Sequence, residues 1–227
     1  TGPHIIGAGW VKDVTDSLDA EEIHYTIFSG ITPNPRDFEV MNGAEVYQTS
    51  GCDAIIAVGG GSPIDCAKGI GIVATNKKDI LTFEGVDTIP IPPPPLICIP
   101  TTAGTGADVS QFAIINDTKG QVKIAIISKK VIPDIALVDP VPLTSLGPAL
   151  TAQTGLDALT HSVEAYVSNA SSPVTDTLAL ESIAQIRDYL LLAQQHPDNL
   201  QYRNQTLLGS LLGGLAFSNA SLGAVHA

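Results

Sequence analysis

Residues 53 to 71 read DAIIAVGGGSPIDCAKGIG, and few stretches restrict a fold more. An unbroken apolar run of strand length ends in Gly59, Gly60 and Gly61, after which Ser62 and Pro63 open a helical pattern. A strand without polar alternation is buried on both faces, as in a parallel sheet covered by helices. The same texture recurs along the first part of the chain. Trp10, Val14 and Leu18 follow helical spacing, HYTIF at 24–28 reads as a strand, TPNP at 32–35 breaks the chain, and FEVMNGAEVY at 38–47 resumes a helix. PLICI at 95–99 and DIALV at 134–138 add buried strands, and the stiff PIPPPP at 90–95 leads into the first of these. SQFAII and VKIAII flank NDTKGQ as a hairpin.

Beyond VDPVPLTSLGPA at 138–149 the pattern is helical throughout. In SPVTDTLALESIAQIRDYLLLAQQ, Ser172 is placed to cap a helix and Pro173 to occupy its first position. We therefore expect an α/β domain over residues 1–141 and an all-helical domain over 142–227. The apolar LLGSLLGGLAF at 207–217 is interrupted by Ser210 and glycines and is shorter than the roughly 20 residues of a membrane span, so it reads as a buried helix.

A chain of 227 residues that is 44% hydrophobic has ample material for a core. Its formal net charge of −12 repels phosphate backbones, which argues against nucleic acid and anionic membranes as partners. Cys52, Cys66 and Cys98 are odd in number and lack metal-ligand spacing, and no signal peptide precedes TGPHIIGAGW. These features point to a reduced cytoplasm and to cysteines that serve as core residues.

Two loops carry candidate chemistry. At Gly59–Ser62, backbone N–H groups and the positive end of a helix dipole converge on one point, a geometry suited to a phosphate or pyrophosphate. Ile64 stands where a G-x-G-x-x-G fingerprint has its last glycine, and a tight strand-to-helix turn accounts for the glycines equally well. PTTAGTGADVS at 100–110 also follows a buried strand and combines Thr101, Thr102 and Thr105 with Gly104 and Gly106. Two such loops beside each other would line one crevice at the carboxyl ends of parallel strands.

In TGLDALTHSVEAYVS at 154–168, Asp157 and His161 are spaced to share a helix face, so that both can reach one metal ion. Alone, the pair is more simply a local ion pair or a packed histidine. His226, in NASLGAVHA, is a second histidine among small and apolar residues. Glu164, one turn beyond His161, reads as an ordinary polar contact.

GGGSPIDCAKGIG, PTTAGTGADVS, TGLDALTHSVEAYVS and AFSNASLGAVHA together resemble, in order and over nearly the whole chain, the signatures of the iron-dependent (group III) alcohol dehydrogenases. The resemblance implies a Rossmann-like NAD(P)-binding domain followed by an all-α metal-binding domain, the dehydroquinate synthase-like architecture. It implies that Asp157, His161 and His226 are metal ligands. It further implies that Gly60, Gly61 and Ser62 hold the cofactor pyrophosphate, that Thr101, Thr102, Thr105 and Ser110 line its cleft, and that Lys123 reaches its ribose. Iron(II) is the implied metal, and an oxygen and nitrogen donor set also admits zinc or manganese. The implied reaction moves hydride between NAD or NADP and a small primary alcohol or its aldehyde, with Phe112 and Leu222 as pocket walls. Gly2 stands where the resemblance places an aspartate facing the adenosine ribose, which implies relaxed discrimination against NADP. The resemblance also implies an earlier strand before Thr1, and a further histidine and a fourth metal ligand after Ala227, so the helical domain is expected to be incomplete. It is compatible with a homo-oligomer. A polyol dehydrogenase, a dehydroquinate synthase-type enzyme and a non-catalytic dinucleotide-binding remnant are the alternative readings on the same scaffold.

Overall fold

The apolar run after Asp53 forms strand β1 (Ile55–Gly59), and the residues after its glycines form a long helix (Gly61–Asn76) whose Ile64, Ile70, Ile72 and Val73 are buried. In this computed structural model, which describes residues 1–226, the chain divides into two compact units. The first comprises residues 1–99 and 111–137; the second comprises 100–110 and 138–227.

Three helices precede β1 or flank it in the first unit: α1 (Pro3–Gly7), α2 (Trp10–Ala20) and α3 (Asp37–Thr49), followed after β1 by α4 (Gly61–Asn76). Strand β1 neighbours β3 (Leu96–Pro100), which pairs in parallel with the short β6 (Ile135–Ala136). A second three-stranded sheet holds β2 (Gly85–Val86), parallel to β5 (Val122–Ile127), and β4 (Phe112–Asp117), antiparallel to β5. The hairpin is the one expected from NDTKGQ, and Asp117 closes it by accepting the N–H groups of Lys119 and Gly120. Val40, Cys66, Ile72, Ile80, Ile115 and Ile126 meet in the core between helices and strands. Lys68, also buried, donates from Nζ to the Phe112 carbonyl at 2.7 Å and so ties α4 to the start of β4. Cys66 and Cys98 are buried as expected, whereas Cys52 is only half-buried. Burial pushes the Cys66 thiol up to about 12, where it is inert.

HYTIF does not form a strand. Residues 23–28 run beside β1 without a ladder partner among the described residues, and a cleft of about 500 Å³ lies between them, lined by Ile23, Tyr25, Ile27, Ile56 and Val58. Ile23, Tyr25 and Ile27 are 52%, 41% and 48% exposed, because apolar alternation alone provides no hydrogen-bonding neighbour. The Thr1 amine donates to the Phe28 carbonyl at one end of this segment.

The second unit is a three-helix assembly of α5 (Pro148–Val167), α6 (Pro173–Gln195) and α7 (Leu200–Ala220). Ser172 caps α6 through the Thr175 N–H, with Pro173 in its first turn, and Asn199 caps α7 through the Tyr202 N–H. The helices approach closely at small residues. Ser182 donates to the Gly209 carbonyl at 2.6 Å and lies 2.6 Å from Ser162, and a Cβ at Gly213 would sit 2.5 Å from the Ser162 hydroxyl. Arg203 is fully buried and reaches three acceptors: Thr151 Oγ1 at 2.7 Å and the carbonyls of Pro197 and Leu146 at 3.0 and 3.1 Å. It locks the start of α7 to the start of α5. None of the described helices is long and apolar enough to cross a membrane.

Candidate functional site

Helix α5 carries Asp157 and His161 one turn apart on one face, with His161 Nδ1 4.0 Å from Asp157 Oδ2. The chain leaves α7 at Ser221, whose φ of 65° turns it back toward α5. That reversal delivers His226, whose Nε2 lies 3.4 Å from Asp157 Oδ1. One donor atom from each of Asp157, His161 and His226 falls within 4.8 Å of the others. Of the three, His161 is buried, and its Nδ1 has no hydrogen-bond partner. The two imidazoles stack with centroids 4.2 Å apart, and the Phe217 ring lies 4.7 Å from that of His161.

Burial lowers the His161 pKa below the ordinary imidazole value, and the neighbouring His226 acts in the same direction; Asp157, Glu164 and the Gly104 backbone oppose the shift without cancelling it. A neutral, buried imidazole with an unpartnered nitrogen beside a carboxylate and a second imidazole is the donor set of a divalent-cation site. The residues therefore fit the metal that the resemblance implies.

Glu164 is the residue that sequence reasoning undervalued. Its Oε2 lies 2.6 Å from His226 Nδ1 and its Oε1 accepts the Val225 N–H at 2.8 Å. Burial would raise its pKa, but hydrogen bonds from His226, Val225 and Gly223 outweigh that and hold it below the usual carboxylate range. Its only signal in the sequence is its place on the Asp157 face of α5.

The loop 100–110, expected with the N-terminal domain, packs in the helical unit. Its glycines explain why. A Cβ at Gly104 would lie 2.9 Å from Thr154 Cβ on α5, and one at Gly106, where φ is 58°, would lie 2.6 Å from Gly214 Cα on α7. Both glycines thus serve close packing on helices. Thr101 and Ser110 are buried, Thr102 and Thr105 half-buried. The Thr101 hydroxyl has no partner, while Thr105 accepts the Ala107 N–H at 3.3 Å.

In the first unit, Gly59 adopts φ 152°, and a Cβ there would meet Pro63 Cγ at 2.5 Å, so this turn demands glycine. Gly60 is the N-cap of α4 and supplies no side chain to cap it, leaving the helix end with Gly61 and Ser62 open to an anion. Ser62 and Lys123 converge on Asn34, a residue of the TPNP chain break. The Asn34 N–H donates to the Ser62 hydroxyl at 3.0 Å, and Lys123 Nζ donates to Asn34 Oδ1 at 2.9 Å.

Residues 1–140 match the family model for iron-containing alcohol dehydrogenases, and residues 151–227 match the model for the C-terminal part of the same family. The chain is 42% identical over 226 residues to 1,3-propanediol dehydrogenase of Citrobacter freundii and 43% identical over 227 residues to alcohol dehydrogenase 4 of Schizosaccharomyces pombe. It spans 58% and 54% of the lengths of these relatives, and all of its own. A solved 1,3-propanediol oxidoreductase superimposes with a TM-score of 0.93 at 42% identity, over 95% of this chain and 56% of that one. A sulfoacetaldehyde reductase from Bifidobacterium kashiwanohense, solved with NAD⁺, gives a TM-score of 0.93 at 30% identity, over 99% of this chain and 60% of that one.

Proposed function

Because the chain belongs to the iron-containing alcohol dehydrogenase family, we propose that it carries the dinucleotide-binding and metal-binding parts of an oxidoreductase that moves hydride between a small primary alcohol or its aldehyde and NAD(P). The observation that supports this best is the meeting of Asp157, His161 and His226 within 4.8 Å, from segments 69 residues apart. In this reading residues 1–141 bind the dinucleotide and 142–227 the metal.

A divalent metal, iron(II) by family and zinc or manganese by donor chemistry, supplies Lewis acidity that lowers the pKa of a substrate alcohol. The chain's own residues make that useful. His161 is kept neutral by burial, so its unpartnered nitrogen is available as a donor at physiological pH. Asp157 contributes the negative charge that compensates a cation. Phe217 packs on His161 and limits the access of water to it. Gly60, Gly61 and Ser62 hold the pyrophosphate at the dipole end of α4, and Lys123 reaches the ribose from the Asn34 side. Thr101, Thr102, Thr105 and Ser110 line the cofactor cleft in this reading, with Thr102 and Thr105 half-buried and Thr101 and Ser110 buried. Discrimination between NAD and NADP is weak in this reading, since Gly2 offers no carboxylate to a ribose.

The test is a titration of the chain with Co²⁺, followed by its visible absorption, alongside NADH fluorescence. Equimolar Co²⁺ is expected, with affinity falling by at least about 100-fold in His161→Ala. Co²⁺ binding of equal strength in a folded His161→Ala variant would assign the metal elsewhere. A panel of short primary alcohols, with NAD or NADP, then reads substrate class through NAD(P)H formation.

A further inference from the structure

We propose that Glu164 is a positioning residue for His226: its carboxylate anchors the turn after α7 and determines which imidazole nitrogen faces the donor cluster. The proposal rests on reading Asp157, His161 and His226 as metal ligands.

On α5, Asp157, His161 and Glu164 follow one another along a single face, yet their partners differ. The Glu164 carboxylate is directed to a segment 62 residues away, the turn that carries His226. Its two oxygens divide the work. Oε1 accepts the Val225 N–H at 2.8 Å, and Oε2 lies 2.6 Å from His226 Nδ1. The carboxylate also presses on the backbone at Gly223, where a Cβ would lie 3.0 Å from Oε1 and 3.3 Å from Cδ. Gly223 therefore admits the carboxylate because it has no side chain.

A carboxylate offers acceptors alone, so Nδ1 of a neutral His226 must carry the proton that enters this bond. The lone pair then lies on Nε2, the nitrogen 3.4 Å from Asp157 Oδ1. A carboxylate behind a ligating imidazole fixes its tautomer and orientation and makes the ring a stronger donor. Without Glu164, the ring would keep its stacking on His161 and lose its close side-chain hydrogen bond.

Glu164→Gln probes this with little change of shape. The two N–H groups meet different oxygens of Glu164, and a carboxamide replaces one of these with an NH2 donor, so either the Val225 N–H or the His226 Nδ1–H would face a donor in place of its acceptor. In the metal-free 227-residue chain, long-range ¹H–¹⁵N correlation of the imidazoles at alkaline pH should show His226 as the Nδ1–H tautomer in the wild type. It should show a shift toward Nε2–H in Glu164→Gln. Co²⁺ affinity of the variant should fall about 10–100-fold, as for other residues behind a metal ligand. Gly223→Ala, which pushes the carboxylate away, should move both readouts in the same direction.

A wild-type His226 in the Nε2–H form, or an unchanged tautomer and Co²⁺ affinity in Glu164→Gln, would overturn the proposal. Lost Co²⁺ binding with an unchanged tautomer would also overturn it, by making Glu164 a ligand itself. The tautomer measurement requires no metal, so it decides the role of Glu164 even where Co²⁺ fails to bind the wild type and the metal reading falls. Should Glu164→Gln not fold, the wild-type tautomer and Gly223→Ala still decide.

Discussion

The glycine turn at Gly59–Ser62 and the cluster of Asp157, His161 and His226 are made of different materials. The first is built from backbone groups of one contiguous stretch, with a helix end left open to an anion by an N-cap that has no side chain. The second is built from side chains whose meeting depends on α5, on the end of α7 and on a glutamate that joins them. A backbone site tolerates changes in the surrounding core as long as its turn survives. A side-chain site is only as good as the packing of the elements that carry it.

The largest expected effect tests that dependence. Arg203→Ala removes the buried guanidinium that bonds Thr151, Leu146 and Pro197, opens a void where its side chain packs, and leaves two partly buried carbonyls without that donor. Urea denaturation should show a loss of about 3–4 kcal/mol, with weaker Co²⁺ binding because the start of α5 is released. A change below about 1 kcal/mol would break the comparison, since the helical unit would then not depend on its buried polar joint.

A smaller effect concerns the first unit. Burial pushes the Asp65 carboxyl from 3.8 up to about 6, against the opposing pull of Lys68 and of a hydrogen bond from the Ile114 backbone. The native state therefore holds this proton more tightly than the unfolded chain, so the associated stability is full below pH 3.8 and is lost as pH rises through about 6. The loss is at most about 2–3 kcal/mol. Unfolding free energies measured across this range should fall with rising pH in the wild type, and that component should vanish in Asp65→Asn. An identical slope in both proteins would show that Asp65 does not titrate in this way.

The smallest effect is on the backbone site itself. If the glycine turn holds the pyrophosphate as proposed, Gly61→Val places a branched side chain in its path, and NADH fluorescence titration should show affinity reduced about tenfold, or roughly 1.4 kcal/mol, with the fold intact. Unchanged NADH binding would remove the glycine turn from the cofactor site and leave it as a structural bend.

Much of the fold was legible because it is local. The helices around Trp10–Leu18, at 38–47 and after Gly61, the hairpin at NDTKGQ, and the Ser172 cap with Pro173 all follow from patterns within a few residues of one another. One reading failed and another was incomplete, for the same reason. HYTIF has strand composition but, among the described residues, no neighbour to pair with, and the two glycines of PTTAGTGADVS, read as part of a crevice-lining loop, also serve contacts with Thr154 and Gly214. Each case depends on what lies across from the segment, which no local pattern contains.

What the sequence determined alone about the candidate site is the supply of donors: a carboxylate and an imidazole at helical spacing, and a second histidine after a glycine-rich helix. Helical geometry is the same in any context, so Asp157 and His161 share a face wherever α5 lies. The tertiary structure decided the rest. The turn after α7 brings His226 to Asp157, Arg203 holds α7 against α5, and Glu164 spends both carboxylate oxygens on the His226 turn. Such contacts join residues 52 to 69 positions apart, and they form only after the helices have packed and excluded the water that would otherwise compete for every one of those polar groups.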